Sequence, residues 1–170
     1  RVKGILNGTQ CDAIQRELLD RMALIGRLEG SEEEGVEEIA RPEVMLDSVH
    51  RIRGGDLFTL AFAAPKVLEE SGLSEKLSAA ECAVAQLGTA FQIVDDLTDF
   101  EVDVDRRSNN LLVSQIHYHG SEEEKATLTR LRAGEGVPEG LVESLFLNSA
   151  ASVLDIAYCE ARAAFVGLAD

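Results

Sequence analysis

Tryptophan is absent from the chain, and in 170 residues proline and cysteine occur three times each and tyrosine twice. Scarce proline leaves few helix breaks, and no run of alternating β-branched residues argues for strands. Apolar positions recur at three and four, so the fold class is expected to be all-α. Cys11, Cys82 and Cys159 are odd in number and far apart, which argues against a disulfide framework and a zinc site. They read as reduced packing residues of a cytoplasmic protein. Positive charge is also short: 16 Lys and Arg face 31 Asp and Glu, a formal net charge of −15. That balance argues against a nucleic-acid groove, which needs clustered basic side chains, and leaves cationic ligands and metal-bridged anions open. No apolar run reaches the roughly 20 residues that span a bilayer, so no membrane span is expected. The start, Arg1-Val2-Lys3-Gly4, has neither methionine nor an apolar leader and reads as a point inside a longer chain.

What is present is 45% hydrophobic residues with no internal repeat and no linker. Residues 1–170 therefore read as a single all-α domain, incomplete at its N-terminus. A first helix is expected to open at a Thr9 cap and to carry Ile14, Leu18, Met22 and Ile25 before fading near Gly30. Ser31-Glu32-Glu33-Glu34-Gly35 reads as a solvated acidic loop, or the start of the next helix, without chemistry of its own. Pro42 suits the first turn of a second helix continuing through Val49, Ile52 and Leu57 toward Leu68. Gly54-Gly55 and Pro65 interrupt it. Each mid-helix glycine costs about 1 kcal/mol relative to alanine, so a compensating reason is required. A third helix, capped by Ser74 or Ser78, runs through Ala83, Leu87, Phe91 and Val94 and past Phe100. Asn109-Asn110 reads as the cap of a short apolar helix, and Ser121-Glu122-Glu123-Glu124 as a capping box. Pro138 is expected to introduce a long alanine-rich helix with Phe146, Ala150, Val153 and Ala157 on its ladder.

The third helix carries the chemistry. At about 100° per residue, Gly88, Gln92, Asp95, Asp96, Asp99 and Asp103 share an arc of roughly 100°. Like charges at these spacings repel by a few tenths of a kcal/mol per pair, a cost that a bound divalent cation removes. Hard ions such as Mg²⁺ take oxygen ligands and commonly bridge one or two carboxylates to phosphates. Apolar neighbours around Asp95 and Asp96 suggest the rim of a cavity, and Gly88 is expected to leave space above the carboxylates. Arg53 lies on an apolar stripe with Leu57, Leu60 and Ala64, where a buried unpaired guanidinium is costly and something anionic, such as the carboxylate stripe, should meet it. His50, His117 and His119 lack a partner at a ligand spacing, and Phe58 and Phe62 read as core.

Gly88-Thr89-Ala90-Phe91-Gln92-Ile93-Val94-Asp95-Asp96-Leu97-Thr98-Asp99 resembles the second aspartate-rich motif of the trans-isoprenyl diphosphate synthases, the polyprenyl synthetase family. His50-Arg51-Ile52-Arg53-Gly54-Gly55-Asp56-Leu57-Phe58 is similar to the family's helix carrying a Lys-Thr-Gly sequence, with Arg53 at the lysine, Gly54 at the threonine and Gly55 at the glycine. The resemblance runs from about residue 20 to the C-terminus and corresponds to the C-terminal half of a family member. It implies a helical bundle of the isoprenoid synthase type around a deep cavity, Mg²⁺ as cofactor, an allylic diphosphate and isopentenyl diphosphate as substrates, and a homodimer. On the same match Asp95, Asp96 and Asp99 would be metal ligands and Arg53 a diphosphate contact. Gln92 would be a hydrogen-bonding partner near the allylic substrate, and Arg106 and Arg107 would stand in for lysines that follow the family's aspartates.

The departures matter as much. The family's first aspartate-rich motif occurs nowhere in the chain, and Arg27 follows Gly26 where the family usually shows Gly-Gln. Arg53 turns a compact ammonium into a planar fork, and Gly54 drops a hydroxyl. Two alternatives therefore stand beside a prenyltransferase: a non-catalytic helical subunit of the same fold, and a class I terpene synthase-type enzyme.

Overall fold

The computed structural model describes residues 6–69, 72–136 and 140–169, and every regular element among them is helical. The all-α expectation holds. The first helix, α1 (Gly8–Gly30), opens ahead of Thr9. Asn7 Oδ1 accepts from Gln10 N–H while Asn7 N–H donates to Gln10 Oε1, a reciprocal cap that satisfies two free donors where Thr9 would satisfy one.

Pro42 occupies the first turn of α2 (Pro42–Met45), where its missing N–H costs nothing. The backbone then continues through an eleven-residue π-helical stretch (Leu46–Asp56), α3 (Leu57–Thr59), a 3₁₀ turn (Leu60–Phe62) and α4 (Ala63–Leu68). The tight turn precedes Pro65, which has no N–H to offer Ala61. Ser74 and Ser78 cap nothing at the start of α5 (Ser74–Thr98), because Leu73 holds the capping position. Nor does α5 run past Phe100: it stops at Thr98, and α6 (Phe100–Arg106) follows after Asp99, closed by Arg107 in the left-handed region at φ 57°. Asn110 caps α7 (Leu111–His119) by accepting from Leu112 and Val113 N–H, and the Ser121/Glu124 capping box opens α8 (Glu122–Arg132). Pro138 lies outside the described residues, and α9 (Leu141–Leu145) and α10 (Leu147–Ala169) complete the chain.

The centre of the bundle is α5, packed between α10 and the π-helical stretch. By length and composition it is long and apolar enough to cross a bilayer, which reading for unbroken apolar runs does not register. In the fold it carries Asp95 and Asp96 in its last turns. The core beneath it is built from Ile93, Phe100, Val104, Leu111, Ile116, Phe146 and Val153, with Phe100 and Phe146 meeting edge to face at 5.4 Å.

The mid-helix glycines have a steric reason. A Cβ on Gly54 would lie 2.2 Å from Gly88 O, and one on Gly88 would lie 2.4 Å from Gly54 O, so the two backbones touch. Gly88 leaves no free space above the carboxylates, because Gly54 fills it. One position on, a Cβ at Gly55 would press on Ala85 O at 3.2 Å.

Two other expectations are corrected. Cys11, Cys82 and Cys159 are exposed free thiols, each on the outer side of a long helix. Phe58 is 38% exposed and stacks on the exposed Phe91 at 5.6 Å, forming an open apolar step beside α5.

The glycine contact predicts opposite effects for the same substitution at two sites. Gly88→Ala drives a methyl into backbone and is expected to cost about 1–3 kcal/mol or more. Gly26→Ala, at a helical position with nothing within 4 Å, is expected to gain about 0.5–1 kcal/mol. Urea titration of both variants checks the signs.

Candidate functional site

A cavity of about 720 Å³ opens where the end of α5 and α6 face the π-helical stretch and the acidic end of α1. Its wall carries eight carboxylates, Glu29, Glu32, Glu33, Glu34, Asp95, Asp96, Asp99 and Asp103, against two guanidiniums, Arg53 and Arg106. The break at Asp99 does not disperse the acidic stripe, because α6 begins at once and returns Asp103 to the same wall.

Asp95 and Asp99 project exposed into this space, and Gln92 Nε2 donates to Asp95 Oδ2 at 3.3 Å. Partial burial, then the neighbouring Asp99 and Asp96, push the Asp95 carboxyl above its usual range, opposed by the Gln92 bond and Arg53. Asp103 is pushed up to about 6, first by burial and then by Asp96 and Asp99, although Asn110 Nδ2 donates to its Oδ2 at 2.9 Å and Arg53 attracts it. These carboxylates are held close with too little opposite charge.

Asp96 has a different place. It is 3% exposed, and its Oδ2 sits 2.8 Å from His50 Nε2 while accepting from Leu111 N–H. The expected free metal ligand is thus a buried tie between the π-helical stretch, α5 and α7. His50 is fully buried, and its Nδ1–H donates to Met45 O at 3.0 Å, so both ring nitrogens are engaged. Asn110 completes the ties: its Nδ2 also donates to Asp96 O, and its Oδ1 caps α7.

Arg53 faces the cavity, but the anions on it come from α1 and the turn behind it. Its Nε donates to Glu29 at 2.5 Å and its Nη2 to Glu32 at 2.9 Å. Glu32 is 9% exposed and also accepts from Asn109 N–H at 3.0 Å and Asn109 Nδ2 at 2.6 Å. The Ser31–Gly35 turn is therefore a wall of the site, which corrects its reading as an idle solvated loop. Arg106 is exposed on the cavity wall, whereas Arg107 is turned away. Arg107 Nη2 donates to Arg132 O at 3.1 Å, because the left-handed turn at this residue sends its side chain toward α8. Its assignment to substrate is corrected on that geometry.

Among the described residues no three Asp, Glu, His or Cys side chains converge on a single point. The donor chemistry still suits a hard cation: Asp95 and Asp99 offer accessible carboxylate oxygens on one wall, with Gln92 beside them. An ion held by one or two of these would complete its shell with water or phosphate oxygens, the usual habit of Mg²⁺. Comparison with protein-family models, curated proteins and solved structures finds no match.

His50, Asn110 and Glu32 are the residues that spacing along the chain does not reveal as parts of one site. Their partners lie 46, 14 and 21 positions away, so each is a tertiary contact without a local signature. Only Arg53 announces its need, as a charge on an apolar stripe.

Two measurements follow. His50→Ala leaves the buried Asp96 carboxylate short of its partner and is expected to cost about 3–5 kcal/mol in a denaturant titration. Asp103 holds its proton more tightly when folded, so the stability it lends is full below about 3.8 and is lost as pH rises through about 6. Asp103→Asn keeps an oxygen for Asn110 and escapes that loss, so its melting temperature should rise relative to the parent between about pH 4 and about pH 7. A pH-independent difference would mean that Asp103 is not a strained carboxylate.

Proposed function

We propose that this chain carries the diphosphate-binding portion of a Mg²⁺-dependent prenyltransferase-type site, acting on an allylic diphosphate and isopentenyl diphosphate. The observation that carries the reading is that Asp95, Asp99 and Gln92 share one cavity with Arg53 and Arg106. The two motif-like segments that resemble the polyprenyl synthetase family are the ones that meet there.

In this reading Asp95 and Asp99 would hold Mg²⁺, which when bound would neutralise diphosphate charge and make it a better leaving group. Asp95 and Asp99 supply oxygens on one side of the cavity. Gln92 orients through its amide, and Arg53 and Arg106 donate to phosphate oxygens as negative charge grows on them. Cleavage of the allylic carbon–oxygen bond leaves a carbocation and diphosphate. The isopentenyl double bond then attacks that cation, and a proton is lost to restore an alkene. The cation survives only where water is kept out, so this step needs a cover over the open acidic wall.

One observation favours the second reading, a non-catalytic helical subunit: Arg53 is already matched by Glu29 and Glu32. Calorimetry tests the site. Inorganic diphosphate titrated with Mg²⁺ into the intact protein should bind, and Asp95→Ala should weaken binding at least about tenfold, the loss of a charge-assisted contact. Unchanged binding in the variant would falsify the site assignment. Prenyl transfer from allylic primers of several lengths to isopentenyl diphosphate separates enzyme from subunit.

A further inference from the structure

A guanidinium has five N–H donors, and the edge formed by its Nε and one terminal nitrogen is the edge that takes a carboxylate or phosphate side-on. In Arg53 that edge is divided between two glutamates, Nε to Glu29 and Nη2 to Glu32. The two are not equivalent. The Glu32 side chain is 7% exposed and is pinned by both the backbone and the side chain of Asn109. The Glu29 side chain is 55% exposed, and among the described residues it holds nothing besides Arg53. An ion pair that open to water is cheap to break, whereas Glu32 would leave buried donors behind.

We infer that Glu29 is an internal competitor for the oxyanion site on Arg53: its carboxylate occupies the Nε position that a phosphate oxygen would take, and it swings into solvent when such a ligand arrives. Glu32 stays and fixes the orientation of the guanidinium. The inference rests on the diphosphate reading above and adds a threshold to it. An oxyanion gains Arg53 only by out-competing a tethered carboxylate, so weak or singly charged anions are turned away and a multiply charged diphosphate is admitted.

The test is calorimetric titration of inorganic diphosphate at saturating Mg²⁺ into the intact protein and three variants, with thermal melts confirming that each folds. Glu29→Gln should tighten binding about two- to fivefold, the range of one exposed ion pair. Glu29→Asp keeps the charge but draws the carboxylate back by one methylene, and it should tighten binding to a smaller degree. Glu33→Gln removes a charge from the same wall without touching Arg53 and should change binding less than either. Equal or weaker binding by Glu29→Gln, or an equal gain from Glu33→Gln, overturns the competitor while leaving the diphosphate site intact. Absence of diphosphate binding in the parent and in every variant overturns the site itself and the competitor with it.

Discussion

The site depends on a contact that involves no side chain. Gly54 and Gly88 let the π-helical stretch and α5 meet backbone to backbone, closer than any Cβ would permit. The register of that crossing decides what faces what. Arg53 is the neighbour of one glycine, and Gln92 and Asp95 lie one and two turns beyond the other. A methyl group on either glycine would push the helices apart and move the guanidinium away from the carboxylates, so packing and electrostatics here are one constraint.

Around the crossing, charge is managed on two levels. Behind the wall every buried side-chain nitrogen and oxygen among the described residues has a partner, and His50, Leu111 N–H and Asn110 tie Asp96 and its neighbours into the interior. In front, Asp95, Asp99 and Asp103 crowd one another with Arg53 as the main nearby cation, and Arg53 itself is shared with α1. Rigidity at the back keeps the front from relaxing its repulsion by moving apart. Such an arrangement concentrates negative potential on one wall, which an acidic chain without the glycine crossing and the buried ties would dissipate into solvent.

Much of this is legible along the chain where local rules apply. The helical class, the Pro42 start, the Asn110 cap and the Ser121 capping box follow from backbone donors that need partners and from the period of apolar residues. The acidic wall is legible too, as a spacing on one helix. The 3.6-residue period fails between Leu46 and Asp56. There the buried positions are Val49, His50, Gly54 and Gly55, two pairs five residues apart that continue from buried Met45 just before the stretch, and Leu57, which the α period assigns inward, is 49% exposed. A wider turn changes which residues share a face, and nothing in the composition of that stretch declares it. Glu32 is illegible for another reason: three successive glutamates look alike until the fold buries one of them against Asn109.

The outward placement of the thiols carries a practical consequence. Cys11 lies on α1, Cys82 on α5 and Cys159 on α10, one exposed sulfur on each of the three longest helices and none of them on the cavity wall. The molecule thereby comes with a triangulation frame of its own. Spin or fluorescent labels on pairs of native cysteines would report how these helices stand relative to one another, and whether that geometry shifts when the acidic wall is neutralised.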